Sequence, residues 1–348
     1  MADFAYLKPI YRSSLRIFIG KRYYRLLRYC HWYFGKQRYA RTKMDKPLDN
    51  ISFTHRTPLY RKLRSVDMWL QHNKVKNLKI ALNRINGILI CPGETFSYWK
   101  TIGKPTRLKG YQKGMNLYYG RFRAEIGGGL CQLSNLIYWM VLHTPLTVTE
   151  RHRHSFDVFP DSNRTQPFGS GATCVYNYRD LQISNQTDET YQICIRIEDD
   201  DLVGEIRTDS TPYLKYRVYE QEHKMTHEYW GRYIRHNLIR RQIFDMDDNL
   251  VGDEYVCENH ALMMYEPLIS EKASQAGGSD CGEWVNVATK SGRMLVLILL
   301  VIVLSAGLAC QRKAAQDDTN NAGYELTSQT YSEAGVQIDY PQIRDFGD

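Results

Sequence analysis

The residues best suited to chemistry lie around a run of three glycines in the stretch AEIGGGLCQLSN, which an apolar segment connects to ERHRHS. Successive glycines allow positive φ angles and let a ligand approach the backbone closely. A cysteine in the first turn of a helix lies near unpaired N–H groups and the positive end of the helix dipole, which favour a thiolate. The candidate residues are Gly127, Gly128, Gly129, Cys131, Glu150, His152 and His154.

Three interpretations of this stretch stay open. If the segment after the helix returns as a strand, Glu150, His152 and His154 share one face, because side chains alternate along a strand. That arrangement favours a Cys131 nucleophile with a histidine base, one imidazole being oriented by Glu150. The glycines and the helix start would also suit a bound anion without covalent chemistry. The third interpretation is a plain turn with a buried cysteine and surface histidines.

Composition narrows the class of protein. The chain has 348 residues, 43% of them hydrophobic, which predicts two or three domains with a sizeable core. None of the eight cysteines forms a C-x-x-C pair, and no Cys/His spacing is typical of structural zinc. No Lys-Ser/Thr follows the glycines, which excludes a nucleotide P-loop. Reduced thiols, no metal and no cofactor are therefore expected.

The basic character belongs to the beginning of the chain. Residues 1–46 hold twelve Lys or Arg against two Asp, a net charge of +10 in a chain whose total is +8. Aromatic residues are interleaved with these cations, a composition that suits an anionic membrane surface. An arm that packs its rings on the next domain is the main alternative. Single-stranded nucleic acid is the least favoured partner.

Hydrophobic periodicity predicts an α+β fold with a helical N-terminal part, a mixed domain around the glycines and an antiparallel β-rich portion. Two helices are expected within residues 58–86, a buried strand at ILI, a helix capped by Thr95, and a helix at residues 130–143. The similar stretches DDDLVG and DDNLVG predict two hairpin turns. The predicted divisions are a basic arm (1–50), a core (51–173), a β-rich portion (174–268), a linker (269–293), a membrane segment (294–310) and a polar tail (311–348).

The membrane segment is predicted from a run of 16 apolar residues at positions 294–309, just short of the ~17–25 that span a bilayer as a helix. An uncleaved anchor, a lipoprotein signal and a buried helix are the alternatives. The basic arm and the lack of a visible signal peptide predict that residues 1–290 face the cytoplasm and the tail lies outside. The tail is expected to begin polar and to contain one or two strands.

Four motifs in order resemble the VanW family, which accompanies bacterial vancomycin resistance: CPGETFSYWKTIG, GGGLCQLSNLIYW, ERHRHSFDVFPD and PFGSGATCVYNYRDLQISN. The resemblance covers residues 1–268. The segment after it resembles a lipoprotein signal and the start of an extracytoplasmic deacetylase- or anti-sigma-type domain.

The resemblance implies a cell-envelope protein of glycopeptide resistance, with peptidoglycan precursors or their pyrophosphate as candidate ligands. Glu94, Gln132 and Ser134 match motif positions and join the glycines as candidate binding residues. A binding or scaffolding role at the membrane competes with a Cys-His acyl transferase or hydrolase that acts on cell-wall precursors.

Overall fold

The computed structural model describes residues 10–11, 13–60, 67–118, 121–153, 155–158, 166–265, 326–333 and 336–343. Its helices are α1 (Ser14–Phe34), α2 (Met68–Ile85), α3 (Tyr98–Ile102) and α4 (Cys131–Val141), with a 3-10 turn at Arg107–Lys109. The strands before α4 are β1 (Ile10–Tyr11), β2 (Asn50–Pro58), β3 (Ile88–Ile90), β4 (Thr95–Ser97), β5 (Lys113–Tyr118) and β6 (Arg121–Ile126).

Strands dominate the chain after α4. Short strands come first: β7 (Thr147–Glu150), β8 (Phe156–Asp157) and β9 (Gln182–Ser184). Longer ones follow: β10 (Tyr191–Glu198), β11 (Asp201–Thr208), β12 (Lys215–Glu228), β13 (Arg232–Phe244) and β14 (Leu250–Met263). The last two described strands are β15 (Leu326–Glu333) and β16 (Val336–Ile343), which agrees with the strands expected in the tail.

The strands form several small sheets. The central sheet has the order β2-β11-β10-β3 and is antiparallel throughout. The other sheets have the orders β4-β9-β7, β12-β13-β14-β8 and β1-β16-β15, and β5 and β6 form a hairpin. Residues 1–267 and 330–340 group as one compact unit and the remainder as a second, of which only short strand segments are described.

The main core lies between the central sheet and two helices. The apolar face of α2 is buried, including Leu78, Ala81 and Ile85, and α4 buries Leu133 and Ile137. These positions recur at helical spacing, so each helix presents one stripe to the sheet. The core thereby fixes where α4 begins, next to the glycines.

Several local predictions are confirmed. The predicted second helix, the ILI strand and the helix after the glycines correspond to α2, β3 and α4. Both acidic stretches make hairpin turns, and Asp199 and Asp248 take the positive φ angles of 49° and 63° that such turns use. The Thr95 cap is wrong: Thr95 lies in β4, and the Ser97 hydroxyl caps α3 by accepting from Lys100 N at 3.2 Å.

The predicted fold class is wrong in two respects. The described chain is strand-rich as a whole, and its first part, predicted to be helical, also contains β2, because residues 50–58 alternate in exposure and pair along β11. Of the two helices expected within residues 58–86, the described residues contain α2 alone. Across the described ranges no helix combines the length and the apolar content needed to cross a membrane. The predicted membrane segment at 294–309 lies outside the described residues, so nothing in the structure supports it.

Candidate functional site

The three glycines form the turn between β6 and α4, called here the glycine turn (residues 127–129). Gly127 and Gly129 have φ angles of 77° and 91°, which disfavour any residue with a side chain. A side chain on Gly128 would collide with the backbone of Gly114, and one on Gly127 would lie 2.6 Å from Pro105. Close packing therefore accounts for all three glycines, since a side chain on Gly129 would also collide with Lys74. A ligand-binding role for them stays a prediction.

A buried amide holds the glycine turn in place. Asn77 Nδ2 donates to the carbonyl oxygens of Gly128 at 2.9 Å and Gln112 at 3.0 Å, and its Oδ1 accepts from Gln112 N at 2.7 Å. Asn77 is fully buried on α2. No sequence pattern singles out Asn77, because a polar residue on a helix is usually solvated.

Cys131 is the first residue of α4, as predicted, and it is half-buried. The hydroxyl of Ser134 donates to the carbonyl oxygen of Cys131 at 3.1 Å and to that of Ala172 at 2.7 Å. Gln132 Nε2 donates to Thr57 Oγ1 and to the Pro58 carbonyl, both at 3.0 Å. Ser134 and Gln132 thus tie the start of α4 to neighbouring segments, and their predicted role in ligand binding is untested.

Glu94 has a local structural role. Its Oε2 accepts from Cys91 N at 3.1 Å, and its carbonyl accepts from Asn185 N at 2.9 Å. Burial, together with the Glu94 charge, raises the pKa of the Cys91 thiol. These contacts place Glu94 in the turn that follows β3, and its predicted role in ligand binding remains untested.

The predicted contact between Glu150 and His152 is present, within a larger group called here the Glu150 cluster. Its members are Arg28, Glu150, His152, Asp180 and Gln182. Glu150 Oε1 accepts from Arg28 at 2.5 Å, from His152 Nε2 at 3.0 Å and from Asp180 N at 2.9 Å. Gln182 Nε2 donates to Oε2 at 2.9 Å. The carboxylate therefore has four donors, the arrangement expected of a buried charge.

The two acids of this cluster titrate in opposite directions. Burial opposes ionisation of Glu150, but hydrogen bonding and charge from His152 and Arg28 outweigh it and lower its pKa to about 2. Burial and the charge of Glu150 raise the pKa of Asp180 to about 7, although Ser97 and the Trp99 N–H both donate to it. Two acids whose environments separate their pKa values are a common basis for acid–base chemistry.

Burial lowers the pKa of His152, against the opposing effect of Glu150, so the imidazole is neutral near pH 7. An ionised carboxylate offers only lone pairs, so the ring hydrogen must be on Nε2, which faces Glu150. The lone pair then lies on Nδ1, the nitrogen a general base would use. His154, the other predicted base, lies outside the described residues.

Cys174 connects the Glu150 cluster with the start of α4. It is buried, and burial raises the pKa of its thiol well above the usual value, with further contributions from the charges of Asp180 and Cys131. A hydrogen bond with Ser134 acts in the opposite direction. The loop that contains Cys174 is also bound to His152, whose carbonyl oxygen accepts from Thr173 N at 2.8 Å. The structure thus gathers Cys131, Ser134, Glu150 and His152 around one loop.

The basic arm contributes a cluster member that sequence reasoning missed. Arg28 lies on α1, and the neighbouring residues Arg25 and Tyr29 bind the same loop: Arg25 Nε donates to the Tyr176 carbonyl at 3.3 Å, and the hydroxyls of Tyr29 and Tyr176 are 2.9 Å apart. Asp180 was also missed as a site residue, although it lies in a motif that resembles the family's. Its signal was an acid two positions before β9, next to the buried Leu181.

Comparison with known proteins decides the family. The family described as VanW like protein matches residues 73–207. Vancomycin B-type resistance protein VanW of Enterococcus faecalis (strain ATCC 700802 / V583) is 36% identical over 205 residues, 59% of this chain and 74% of the relative. The chain belongs to the VanW family.

The VanW-family match has definite limits along the chain. Residues 73–207 include the glycine turn, Cys131 and the Glu150 cluster apart from Arg28, which lies with α1 outside the matched range. Uncharacterized protein YoaR of Bacillus subtilis (strain 168) is 29% identical over 110 residues, 32% of this chain and 35% of the relative. No solved structure matches the chain.

Proposed function

We propose that this VanW-family protein contributes to vancomycin resistance as a binding protein at an anionic membrane surface, near peptidoglycan precursors. The resistance role is carried over from the relative of that name in Enterococcus faecalis, which this chain covers over 74% of its length. The proposed membrane binding rests on the apolar side chains that α1 exposes to solvent. The proposed location is the cytoplasmic face of the bacterial membrane.

Helix α1 has two different faces. One face binds the body of the protein through Arg25, Arg28 and Tyr29, with Trp32 buried beside them. The other leaves large apolar and aromatic side chains more than half exposed: Leu15, Ile19, Tyr23, Leu26, Tyr33 and Phe34. Phe18 and Tyr24, nearer the docked face, are also more than half exposed. A contiguous exposed apolar surface indicates an interaction site.

The charge of the helix favours an anionic partner. Arg16, Lys21 and Arg22 lie among the exposed apolar residues, and the N-terminal 46 residues carry a net charge of +10. Near an anionic leaflet each basic residue contributes about 1 kcal/mol of attraction, and aromatic rings settle at the level of the headgroups. A helix with this composition is suited to lie in the interface of an anionic bilayer.

Vesicle binding tests the proposal. The protein should sediment with vesicles rich in phosphatidylglycerol at 0.1 M salt and be largely released at 1 M, since the Debye length falls from ~10 to ~3 Å. The Ile19→Ser/Leu26→Ser and Arg16→Gln/Arg22→Gln double variants should each bind about tenfold more weakly, because they remove apolar contact and electrostatic attraction respectively. Their melting temperatures should not fall, because the altered side chains are exposed.

The matched control is Leu250→Ser/Val251→Ser, which removes two similarly exposed apolar side chains from the start of β14. Its binding should equal that of the wild type. Equal affinity for neutral and anionic vesicles, or undiminished binding by the α1 variants, would refute the membrane proposal.

A Cys-His acyl transferase or hydrolase is the second candidate, favoured by the 3.0 Å contact between Glu150 and His152 and by the position of Cys131 at the start of α4. In such a reaction the Cys131 sulfur bonds to a substrate carbonyl carbon, its proton passes to His152, and the leaving group takes that proton as it departs. Water then releases the acyl group.

Under this second function, Cys131→Ser should abolish the contribution to resistance, because a serine hydroxyl ionises far less readily than a thiol. The minimum inhibitory concentration of vancomycin in a resistant host provides the measurement, with Cys194→Ser, another half-buried cysteine, as the control. Full resistance in the Cys131→Ser strain would exclude nucleophilic catalysis and leave the binding role.

A further inference from the structure

A pocket of about 380 Å³ lies beside the glycine turn, on the side of the β5-β6 hairpin. Its lining comes from the first turns of α2, from the 3-10 turn and from β5 and β6. Two rings, two cations and two amides face it: Trp69, Tyr111, Arg107, Lys113, Asn73 and Gln112. Apolar walls with a few converging polar groups, in this size range, are typical of small-molecule sites.

The segment that forms much of this pocket is positively charged, and the one carboxylate that contacts a lining residue here is that of Asp67, which accepts from Trp69. Residues 101–124 contain six Lys or Arg and no Asp or Glu. Within the described part of the chain, neither Arg107 nor Lys113 forms an ion pair, so both charges remain available to a ligand. An Arg and a Lys together are suited to a phosphate or carboxylate group.

The rings supply a second kind of contact. Trp69 is half-exposed, and its Nε1 donates to Asp67 Oδ2 at 3.2 Å, which fixes the orientation of the indole. Tyr111 is buried behind it. A ring held in one orientation next to two cations suits a ligand that consists of a ring with a negatively charged group attached to it.

The glycine turn holds this pocket in shape. Gly127 N donates to the Gln112 carbonyl at 3.0 Å, and Ile126 pairs with Lys113 across the hairpin. Asn73 Nδ2 donates to the Lys113 carbonyl at 3.0 Å, so α2 and β5 are joined directly at the pocket. The packing that requires glycine at positions 114 and 128 therefore also sets the distance between the rings and the cations.

We propose that this pocket binds a phosphorylated sugar, with Arg107 and Lys113 on the phosphate and Trp69 against the sugar ring. The inference rests on the proposed function in taking cell-wall precursors as the source of the sugar phosphate. The ligand would lie on the side of the glycine turn that faces the β5-β6 hairpin, and its binding would require neither Cys131 nor the Glu150 cluster.

Calorimetric titration of the full chain, without vesicles, tests the assignment with N-acetylglucosamine 1-phosphate as the probe. Saturable binding is expected, with at least tenfold weaker affinity for N-acetylglucosamine, inorganic phosphate and uridine monophosphate. Arg107→Gln and Lys113→Gln should each weaken binding about tenfold. Trp69→Ala should reduce the affinity for the sugar phosphate to that for phosphate alone. Lys109→Gln, a cation of the same segment outside the pocket lining, should bind like the wild type.

Absence of saturable binding would overturn the inference, as would equal affinity in the Arg107→Gln and Lys109→Gln variants. If phosphate alone bound as tightly as the sugar phosphate, the pocket would not recognise a sugar. If uridine monophosphate bound as tightly, the pocket would recognise a nucleotide instead of a sugar phosphate. Because no membrane is present, failure here is separate from failure of α1 to bind vesicles.

Discussion

The Glu150→Ala variant should lose about 3–5 kcal/mol of unfolding free energy at pH 7, the usual cost of removing one partner of a buried ion pair. Its carboxylate satisfies Arg28, whose side chain is 11% exposed, together with His152, Gln182 and the N–H of Asp180. Without it, the largely buried guanidinium loses its ion-pair partner and keeps only a 3.5 Å hydrogen bond to the Tyr178 carbonyl and the more distant Asp180. Urea denaturation measures the loss.

Glu198→Ala is the matched control, because Glu198 pairs with Arg56 and Arg196 at a surface where its side chain is 41% exposed. Exposed pairs contribute about 0–1 kcal/mol, so its loss should be small. Similar losses for the two variants would contradict the account of the Glu150 cluster.

The effect of Glu150→Ala on stability should also depend on pH. The pKa of Glu150 is lowered to about 2 in the folded protein. The ionised carboxylate therefore stabilises the fold at pH values above the usual pKa of a glutamate, 4.5, and this stabilisation is lost as the pH falls towards 2. The difference between wild type and Glu150→Ala should therefore shrink in acid. Asp180 has the opposite sign: its pKa of about 7 favours the folded state at low pH, and this contribution disappears as pH rises through 7. Removing the Glu150 charge should bring the pKa of Asp180 down.

The Gly128→Ala variant should lose at least about 2–3 kcal/mol of stability or fail to fold, because overpacking here involves two backbones that cannot repack like side chains. The added methyl group would collide with the carbonyl of Gly114. Asn77 bonds the Gly128 carbonyl at 2.9 Å, so the turn cannot move away without breaking that bond. Thermal denaturation, or the soluble yield if no folded protein is obtained, measures the effect.

Gly20→Ala provides the contrast, since an added methyl group on α1 there meets nothing within 4 Å. It should be neutral or stabilise by up to about 1 kcal/mol through helix propensity. A Gly128→Ala protein as stable as Gly20→Ala would show that the contact between the glycine turn and β5 is not close.

Sequence patterns correctly predicted the helices and turns whose determining residues lie within a few positions of one another. The apolar spacing of Leu78, Ala81 and Ile85 identified α2, and the acidic turns at Asp199 and Asp248 identified two hairpins. Strand β2 was missed because its partner, β11, lies about 150 residues away, and no property of residues 50–58 alone indicates that pairing.

The candidate site was predictable to the same extent. Glu150 and His152 are two positions apart in sequence, and their contact was predicted from strand alternation, although β7 ends at Glu150 and His152 follows it outside the strand. Arg28 belongs to a segment whose charge suggested lipid, yet it reaches a carboxylate 122 positions later. Asp180 joins the cluster through its backbone N–H, a contact that no spacing rule anticipates.

Residues that contact each other in the fold are made at different times during synthesis when they lie far apart in sequence. Arg28 meets Glu150 122 residues later, and Asn50 bonds Thr208 158 residues later. At roughly 5–20 residues per second, the ribosome takes about 8–30 seconds to make a stretch of that length. A helix such as α1 forms in about a microsecond. Until residues 150–180 have been made, then, α1 lacks the segment on which it docks, and its apolar side chains are open to other partners.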